Sequence, residues 1–536
     1  MSSIYQHAHQ VIAWVGDDQD DAGKVLQFLD NHCDKLSGVS SYEERKDTME
    51  KNAAAVSFIG NAIKEAFPGA GLEPFRKFFR RSWFGRRWII QEIVLAEKPV
   101  IRCGSVSMRF SRFAVGASIM NLFFEAQTMS HPLDPVFLMQ DHMAQMLSSI
   151  ANSQRLNAWK GMVLAEYRFP ILQLLREFQS AKCSDDRDKV YALIALSDDV
   201  VAKPEDAHET ARLKRQRREK PELSVNYSHK ADQVYISLAA KIVDKKYFYN
   251  YRLYELFGTA SAFRPSHSSS TSDSIPSWVP DWRITQRFEP VIEPEYKLSI
   301  EGCQRCCWEL SEDEKTMSIT GWNYATVSER TGHITDLITE FQHIKATIQE
   351  WWKQYTADHG GRPVPPTSIH DESWYHGFFD LVVMGRTTWD GGMVHPPRDF
   401  VGLLLEGVVP DEWTDGKPTI IHPVEEVTDN LLRMRRYTKQ LVSMLQGRGL
   451  FRSEKGQLMN CPDDTEVGDV IVIFGGIDIP YVIRLIMGGD NKPGRYRLIG
   501  DAYVDGVMDS PFDVDPDSQP KITEEELGEA LEFLLE

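Results

Sequence analysis

Apolar and polar positions recur with two different periods along the chain, and the changes of period divide it. "QVIAWVG" (10–16) is an apolar, β-rich run closed by glycine and the acidic loop "DDQDDAG", which predicts a strand. Helical apolar spacing follows at 22–35 and again near 51–66. The pattern then predicts a helix over about 83–97, and "KPVIRCGS" (98–105), entered through a proline, predicts a short buried strand. Strands alternating with helices imply an α/β layer with a parallel sheet, with too few strands for more than half of a doubly wound one.

Beyond 106 the spacing is helical as far as about 250. "FAVGASIMNLFF" (113–124) is short enough for a buried core helix rather than a membrane span. Asp185 or Asp186 is placed to cap a helix containing Val190, Leu193 and Leu196. The Ser-rich "SHSSSTSDS" (266–274) reads as a linker ending at "IPSWVPDWR", and strands such as "KTMSITGWNYATV" begin at about 296. "GDVIVIFGGIDIPYVIRLIMGG" and "RYRLIGDAYVDGVM" predict a small antiparallel sheet or barrel. The terminal "KITEEELGEALEFLLE", with Thr523 and Glu526 as a capping box and Leu527, Ala530, Leu531, Leu534 and Leu535 apolar, predicts an amphipathic helix. The expected organisation is therefore α+β overall: a partial parallel-sheet domain (1–125), a helical region (126–262) and a Ser/Pro/Trp linker (263–290). A β-rich C-terminal region (291–515) with a mixed helical insertion (335–445) follows, and an acidic tail with a terminal helix (516–536) closes the chain.

Composition narrows the function. At 536 residues with 42% hydrophobic and 26% charged positions, the chain has the make-up of an ordinary globular protein of two or three domains. A net charge of -18 argues against nucleic acid or an anionic membrane surface as a chain-wide partner. The basic stretch "ARLKRQRREKPEL" (211–223) reads as a solvated surface. Cys303, Cys306 and Cys307 offer thiolates without a fourth ligand nearby, so neither a metal nor a redox cofactor is expected. "MSSIYQHAHQVIAWVGDD" lacks the basic start of a secretory signal, which makes the cytoplasm the expected location. No phosphate-cradling GxxxxGK[ST] loop, GxSxG elbow or HExxH helix is present.

An ordered set of stretches then carries a resemblance. "IYQHAHQVIAWVGDD", "WFGRRWIIQEIVLAEKPVIRCGS", "SDDRDKVYALIALSDD", "LSVNYSHKADQVYISLA" and "IPSWVPDWR", in that order, resemble the heterokaryon incompatibility (HET) domain proteins of filamentous fungi. "GRGLFRSEKGQLMNCPDDTEVGDVIVIFGGIDIPYVIR" and "YRLIGDAYVDGVMD" resemble the C-terminal region that often accompanies that domain. The resemblance implies nonself recognition and programmed cell death signalling through protein partners, and a domain similar in fold to the TIR domain. Some TIR domains cleave NAD with a glutamate placed four residues after a tryptophan. Trp88 and Glu92 match that spacing, so the resemblance implies Glu92 as catalytic residue, Trp88, Arg86 and Arg87 as substrate-binding residues, and NAD as substrate.

Read physically, Phe84, Trp88, Glu92 and Leu95 would share one helical stripe, where desolvation raises a carboxyl pKa and suits it to stabilising a ribosyl cation. Arginines there, from Arg76 to Arg87, suit a pyrophosphate. The reading that the residues by themselves favour has Gln91 and Glu92 at the margin of an apolar stripe, with the arginines paired to neighbouring acids. Trp83 and Gln91 belong to the same motif as structural members. Asp186, Arg187, Asp188 and Tyr191 read as a helix cap with an Arg–Asp pair fixing two helices, and Trp278, Pro280, Asp281 and Trp282 as an interdomain staple.

The chain also departs from the family. Relatives carry an early strand ending in a Ser-Tyr-x-Trp-Gly-like turn and a second reading Trp-Ile-Asp-x-x-Cys-Ile-Asn-Gln, and neither is found here. An N-terminally truncated chain is therefore expected, either an incomplete version or a short form that lost the nucleotide pocket, and both predict weak or no catalysis. "MNCP" stands where relatives have a Gly-rich turn, which argues against a binding role for that loop.

Overall fold

The computed structural model describes residues 2–34, 57–128, 153, 155–163, 169–203, 220–245, 251–264, 274–291, 300–301, 307–332, 341–358, 373–384, 441–477, 479–489, 492–507, 522–523 and 527–536. They divide into two compact units, one up to Asp198 and one from Asp199 onward. The architecture is α+β, with a β-rich C-terminal region.

In the first unit α1 (Ser2–His7) leads into β1 (Val11–Trp14), whose alternating burial leaves Val11 and Ala13 inside. α2 (Ala22–Cys33), a helical stretch at 57–66 and α3 (Glu73–Phe79) follow. A 3-10 turn (Ser82–Gly85), α4 (Ile89–Val94), β2 (Pro99–Cys103), β3 (Val106–Arg109) and α5 (Phe110–Thr128) come next. β1 pairs in parallel with β2, and β3 folds back antiparallel on β2. The turn between β2 and β3 requires glycine, because Gly104 has φ +54° and a Cβ there would stand 2.8 Å from the Cβ of Asp18. The core beneath is aromatic: Phe78, Phe79, Phe84 and Phe113 are buried with ring centroids 5.3 to 6.1 Å apart.

Two expectations fail in this unit. The hairpin strand β3 replaces predicted helix at its start, because Val106 and Met108 alternate with polar residues and pair with β2. The helix expected over 83–97 is broken. Arg86 is extended (φ -79°, ψ 137°) and bridges Lys182, with Lys182 N–H donating to Gly85 O at 2.7 Å and Arg87 N–H to Lys182 O at 2.8 Å. A distant backbone strand claims those groups, so Phe84 is not on one helical stripe with Trp88 and Glu92.

The second unit contains α8 and α9, once α6 (Ile171–Glu177) and α7 (Asp188–Tyr191) of the first are counted; they span Ala231–Ile242 and Tyr251–Ala262. The short strands β4 (Val201–Ala202) and β5 (Glu222–Leu223) pair in parallel, as do β6 (Ile300–Glu301) and β15 (Ile522–Thr523), and β7 (Trp308–Leu310) leads into the central β8 (Met317–Gly332), a long strand that changes partners along its length. It pairs with β16 (Leu531–Leu535) at Met317–Gly321, with β11 (Val470–Phe474) at Gly321–Thr326 and with β9 (Arg448–Ser453) from Val327 onward. β11 continues to β12 (Tyr481–Gly489), β12 to β13 (Lys492–Asp501) and β13 to β16, so β8, β11, β12, β13 and β16 close a ring. Closure removes open edges, and Tyr481, Ile483, Phe474 and Leu535 fill the interior. β10 (Leu458–Pro462) extends β9, and β14 (Tyr503–Val504) extends β10.

Three further expectations change here. The terminal helix is the strand β16: Phe533 and Leu535 are buried at period two while Leu531 is exposed, because β13 and β8 offer unpaired backbone on both sides of the slot. "MNCP" lies in strand β10 rather than in a loop. The stretch 274–291 is embedded core: Trp278 is buried with Nε1 donating to Lys315 O at 3.0 Å, and Trp282 packs on Phe263 at 5.1 Å. Trp278 and Trp282 thus join the end of α9 to the β-rich region within one unit. Most of the expected insertion 335–445, the 266–273 linker, Cys303, Cys306 and most of the tail lie outside the described residues.

A buried ion pair anchors the barrel. Arg448 and Asp501 are both 0% exposed and meet bidentately at 2.8 and 2.9 Å. Val291 N–H also donates to Asp501 at 2.6 Å, and the Arg448 guanidinium lies 4.7 Å from the Phe288 ring. The extended segment 287–291 is stapled a second time by Arg287, which donates to Asp463 and Asp464.

Candidate functional site

Glu92 and Trp88 are both half-buried, Trp88 immediately preceding α4 and Glu92 standing one turn later. Burial pushes the Glu92 carboxyl above its ordinary range, and the charge of exposed Arg86 opposes the shift. Tyr5 on α1 belongs to the same group: burial and then the Glu92 charge raise its hydroxyl, with Arg86 again opposing. The arrangement is a carboxyl, a phenol and a guanidinium that sense one another at a half-buried place. It can exchange a proton or hold a hydroxyl-bearing ligand.

Its position in the layer follows from the connections. α1 reaches β1 through Ala8–Gln10, and α4 reaches β2 through Leu95–Lys98, so both helices end near the first residues of the parallel strands. Tyr5 and Glu92 each stand two residues before a helix end, which puts them toward the amino ends of the strands rather than the carboxyl ends. At the carboxyl ends Arg81 fills the space, its Nη1 donating to Val15 O at 3.0 Å and its Nη2 to Gln19 O at 3.1 Å.

The motif residues around Glu92 are tied to a segment about a hundred positions away. Arg87 is buried, with Nε donating to Lys189 O at 2.8 Å and Nη1 to Phe178 O at 2.6 Å. Trp88 Nε1 donates to Asp188 Oδ2 at 2.9 Å, and Gln91 Nε2 to Ala192 O at 2.7 Å. Arg86 alone of the two arginines faces outward, so the phosphate role foreseen for Arg87 gives way to a structural one. Trp83 is buried against Phe84 at 5.2 Å. The Arg187 backbone N–H and guanidinium both bind Asp185, a local clasp, and the tie between helices is Trp88–Asp188. Tyr191 is core, and Asp186 acts electrostatically on Cys183 and Lys189. Sequence reasoning singled out both stretches and missed that they are joined. Tyr5 was missed as well, and nothing in its spacing marks it. Among the described residues no group of His, Cys, Asp and Glu could hold a metal ion.

Comparison with known proteins agrees with this layout. Residues 1–92, from α1 to Glu92, match the heterokaryon incompatibility protein (HET) family. Residues 417–515, which include β9 to β14, match the Het-6 beta-barrel domain. The chain is 23% identical to heterokaryon incompatibility protein 6, OR allele, of Neurospora crassa, over 95% of this chain and 77% of that protein. No solved structure matches the chain. With one family model matched at its amino end, the companion barrel near its carboxyl end and a relative aligned across both, the chain is similar to the heterokaryon incompatibility proteins.

Proposed function

We propose that this cytoplasmic protein acts in fungal nonself recognition and programmed cell death signalling, and that it does so by contact with a protein partner. The observation that carries the reading is a bare face of the β1–β3 sheet. In register, Ile12 stands beside Val100 and Arg109, and Trp14 beside Arg102 and Ser107. Side chains in register share a face, and here Ile12 is 52% and Trp14 48% exposed. Apolar groups in water, flanked by arginines in an acidic chain, suit a partner surface that is apolar with carboxylates at its rim. Expression of the wild type in a fungal host should arrest growth, and Ile12→Ser with Trp14→Ser should abolish the arrest while the protein stays folded. A host indifferent to the wild type, or killed equally by the double variant, would defeat the reading.

The raised carboxyl of Glu92 beside Tyr5 and Arg86 favours a second reading, a TIR-like NAD-cleaving hydrolase. In it Glu92 supports the ribosyl cation as nicotinamide leaves, and Arg86 meets the pyrophosphate. Nicotinamide release from NAD should then be lost in Glu92→Gln and kept in Arg109→Gln. Folded wild-type protein that releases none would rule it out.

A further inference from the structure

We propose that the outer edge of β1 takes up an extended strand of the partner polypeptide, one with apolar side chains at every second position and acidic flanks. The inference rests on the partner reading above and names how the bare sheet face is engaged. Among the described residues β1 pairs with β2 alone. In a parallel pair one residue spends both of its backbone groups on the neighbouring strand and the next points both away. Val15 N–H donates to Arg102 O at 3.0 Å, which fixes the phase: Val11, Ala13 and Val15 turn to β2, and Ile12 and Trp14 present their N–H and C=O groups at the open edge. The residues with outward backbone are thus the same two whose side chains stand in water. A strand laid along this edge gains main-chain bonds and apolar contact from the same positions.

Nothing in the sequence guards this edge. Strands at the rim of a sheet are commonly protected by a charge, a proline or a bulge, and β1, reading Val-Ile-Ala-Trp in unbroken register with β2, has none. The opposite rim differs, because β3 ends at the charged Arg109 and the chain turns at once into α5 at Phe110. The charge of the occupant follows from Arg102 and Arg109, exposed on the bare face and without an ion-pair partner among the described residues. A strand spacing of about 4.8 Å and the length of an arginine side chain bring these charges within roughly a Debye length of an added strand. The acids that follow β1 oppose them less, because Asp18 accepts from Gly23 N–H at 2.7 Å and Asp20 pairs with Lys77 at 2.8 Å.

The probe is a fluorescein-labelled peptide of alternating valine and threonine with glutamate at both ends, added to the full chain and followed by fluorescence anisotropy. Saturable binding is expected, weakened when lysine replaces glutamate. Two further versions carry N-methyl groups, one on every valine and the other on every threonine. Valines packed on Ile12 and Trp14 aim their N–H groups at β1 if the added strand runs antiparallel, and threonines do so if it runs parallel. One version should therefore bind about ten-fold more weakly and the other like the parent, and the one that fails reports the orientation. Ile12→Pro removes an outward N–H and leaves the bonds to β2, so it should lose the peptide at a Tm close to that of the wild type, while Ile12→Val should bind normally. The methylated pair decides independently of that variant's fold. Equal binding by both methylated versions, loss by both, a lysine-ended peptide bound as tightly as the glutamate-ended one, or no binding of the parent would overturn the proposal. Host arrest abolished by Ile12→Ser with Trp14→Ser would in that case keep the partner reading and discard only strand addition.

Discussion

Glu92 is held between two opposing influences, and the balance can be read in pH. Burial raises its carboxyl pKa, and the Arg86 charge only partly offsets this. Between the unfolded and the folded pKa the native state holds a proton that the unfolded chain has released, so stability falls as pH rises through that window and is flat above it. Glu92→Gln removes the buried charge. It should be more stable than wild type above the window, with the advantage shrinking as pH drops toward 4.5, the ordinary value. Tm measured against pH for both proteins checks this; a constant difference at every pH would place Glu92 in solvent. Arg448 and Asp501 present the opposite case, since both charges are sealed and each is the other's compensation. Asp501→Asn strands Arg448 and should cost about 3–5 kcal/mol, measurable by urea unfolding. A loss below 1 kcal/mol would mean that water reaches the pair.

At the scale of elements, what was legible in the sequence depended on whether a pattern was local. β1, α2, β2 and α5 came close to their expected spans because each buries one face against an immediate neighbour. The 83–97 helix did not, since Lys182, remote in the chain, claims the backbone of Gly85 and Arg87. Nor did the terminal helix: Leu531, Leu534 and Leu535 fit a helical period as well as a strand, and only the slot between β13 and β8 decides. For the same reason the candidate site was half visible. Glu92 and Trp88 were singled out by the family resemblance, whereas Tyr5 and the Trp88–Asp188 bond are products of folding. The slot gives a direct prediction. Ending the chain after Glu529 removes Phe533 and Leu535, each worth roughly 1.5–3 kcal/mol of burial, and opens the ring along two strands. The shortened protein should unfold or aggregate at ambient temperature, while Leu531→Ser should retain wild-type Tm because Leu531 is 46% exposed.

For the whole molecule, charge governs what the exposed apolar groups can do. At neutral pH a net charge of -18 keeps copies apart, so Ile12 and Trp14 can stand in water without driving self-association. The arginines beside them, Arg102 and Arg109, reverse the local sign and favour an acidic partner over the chain-wide repulsion. That division of labour ends near the isoelectric point of 5.4, where the repulsion vanishes but the apolar face remains. Light scattering should therefore show association rising steeply as pH falls toward 5.4. If the face is responsible, Ile12→Ser with Trp14→Ser should reduce the association at pH 5.4 and leave scattering at pH 7.5 unchanged. Equal association by wild type and double variant would assign the stickiness to other surfaces and remove the bare sheet face as the route to a partner.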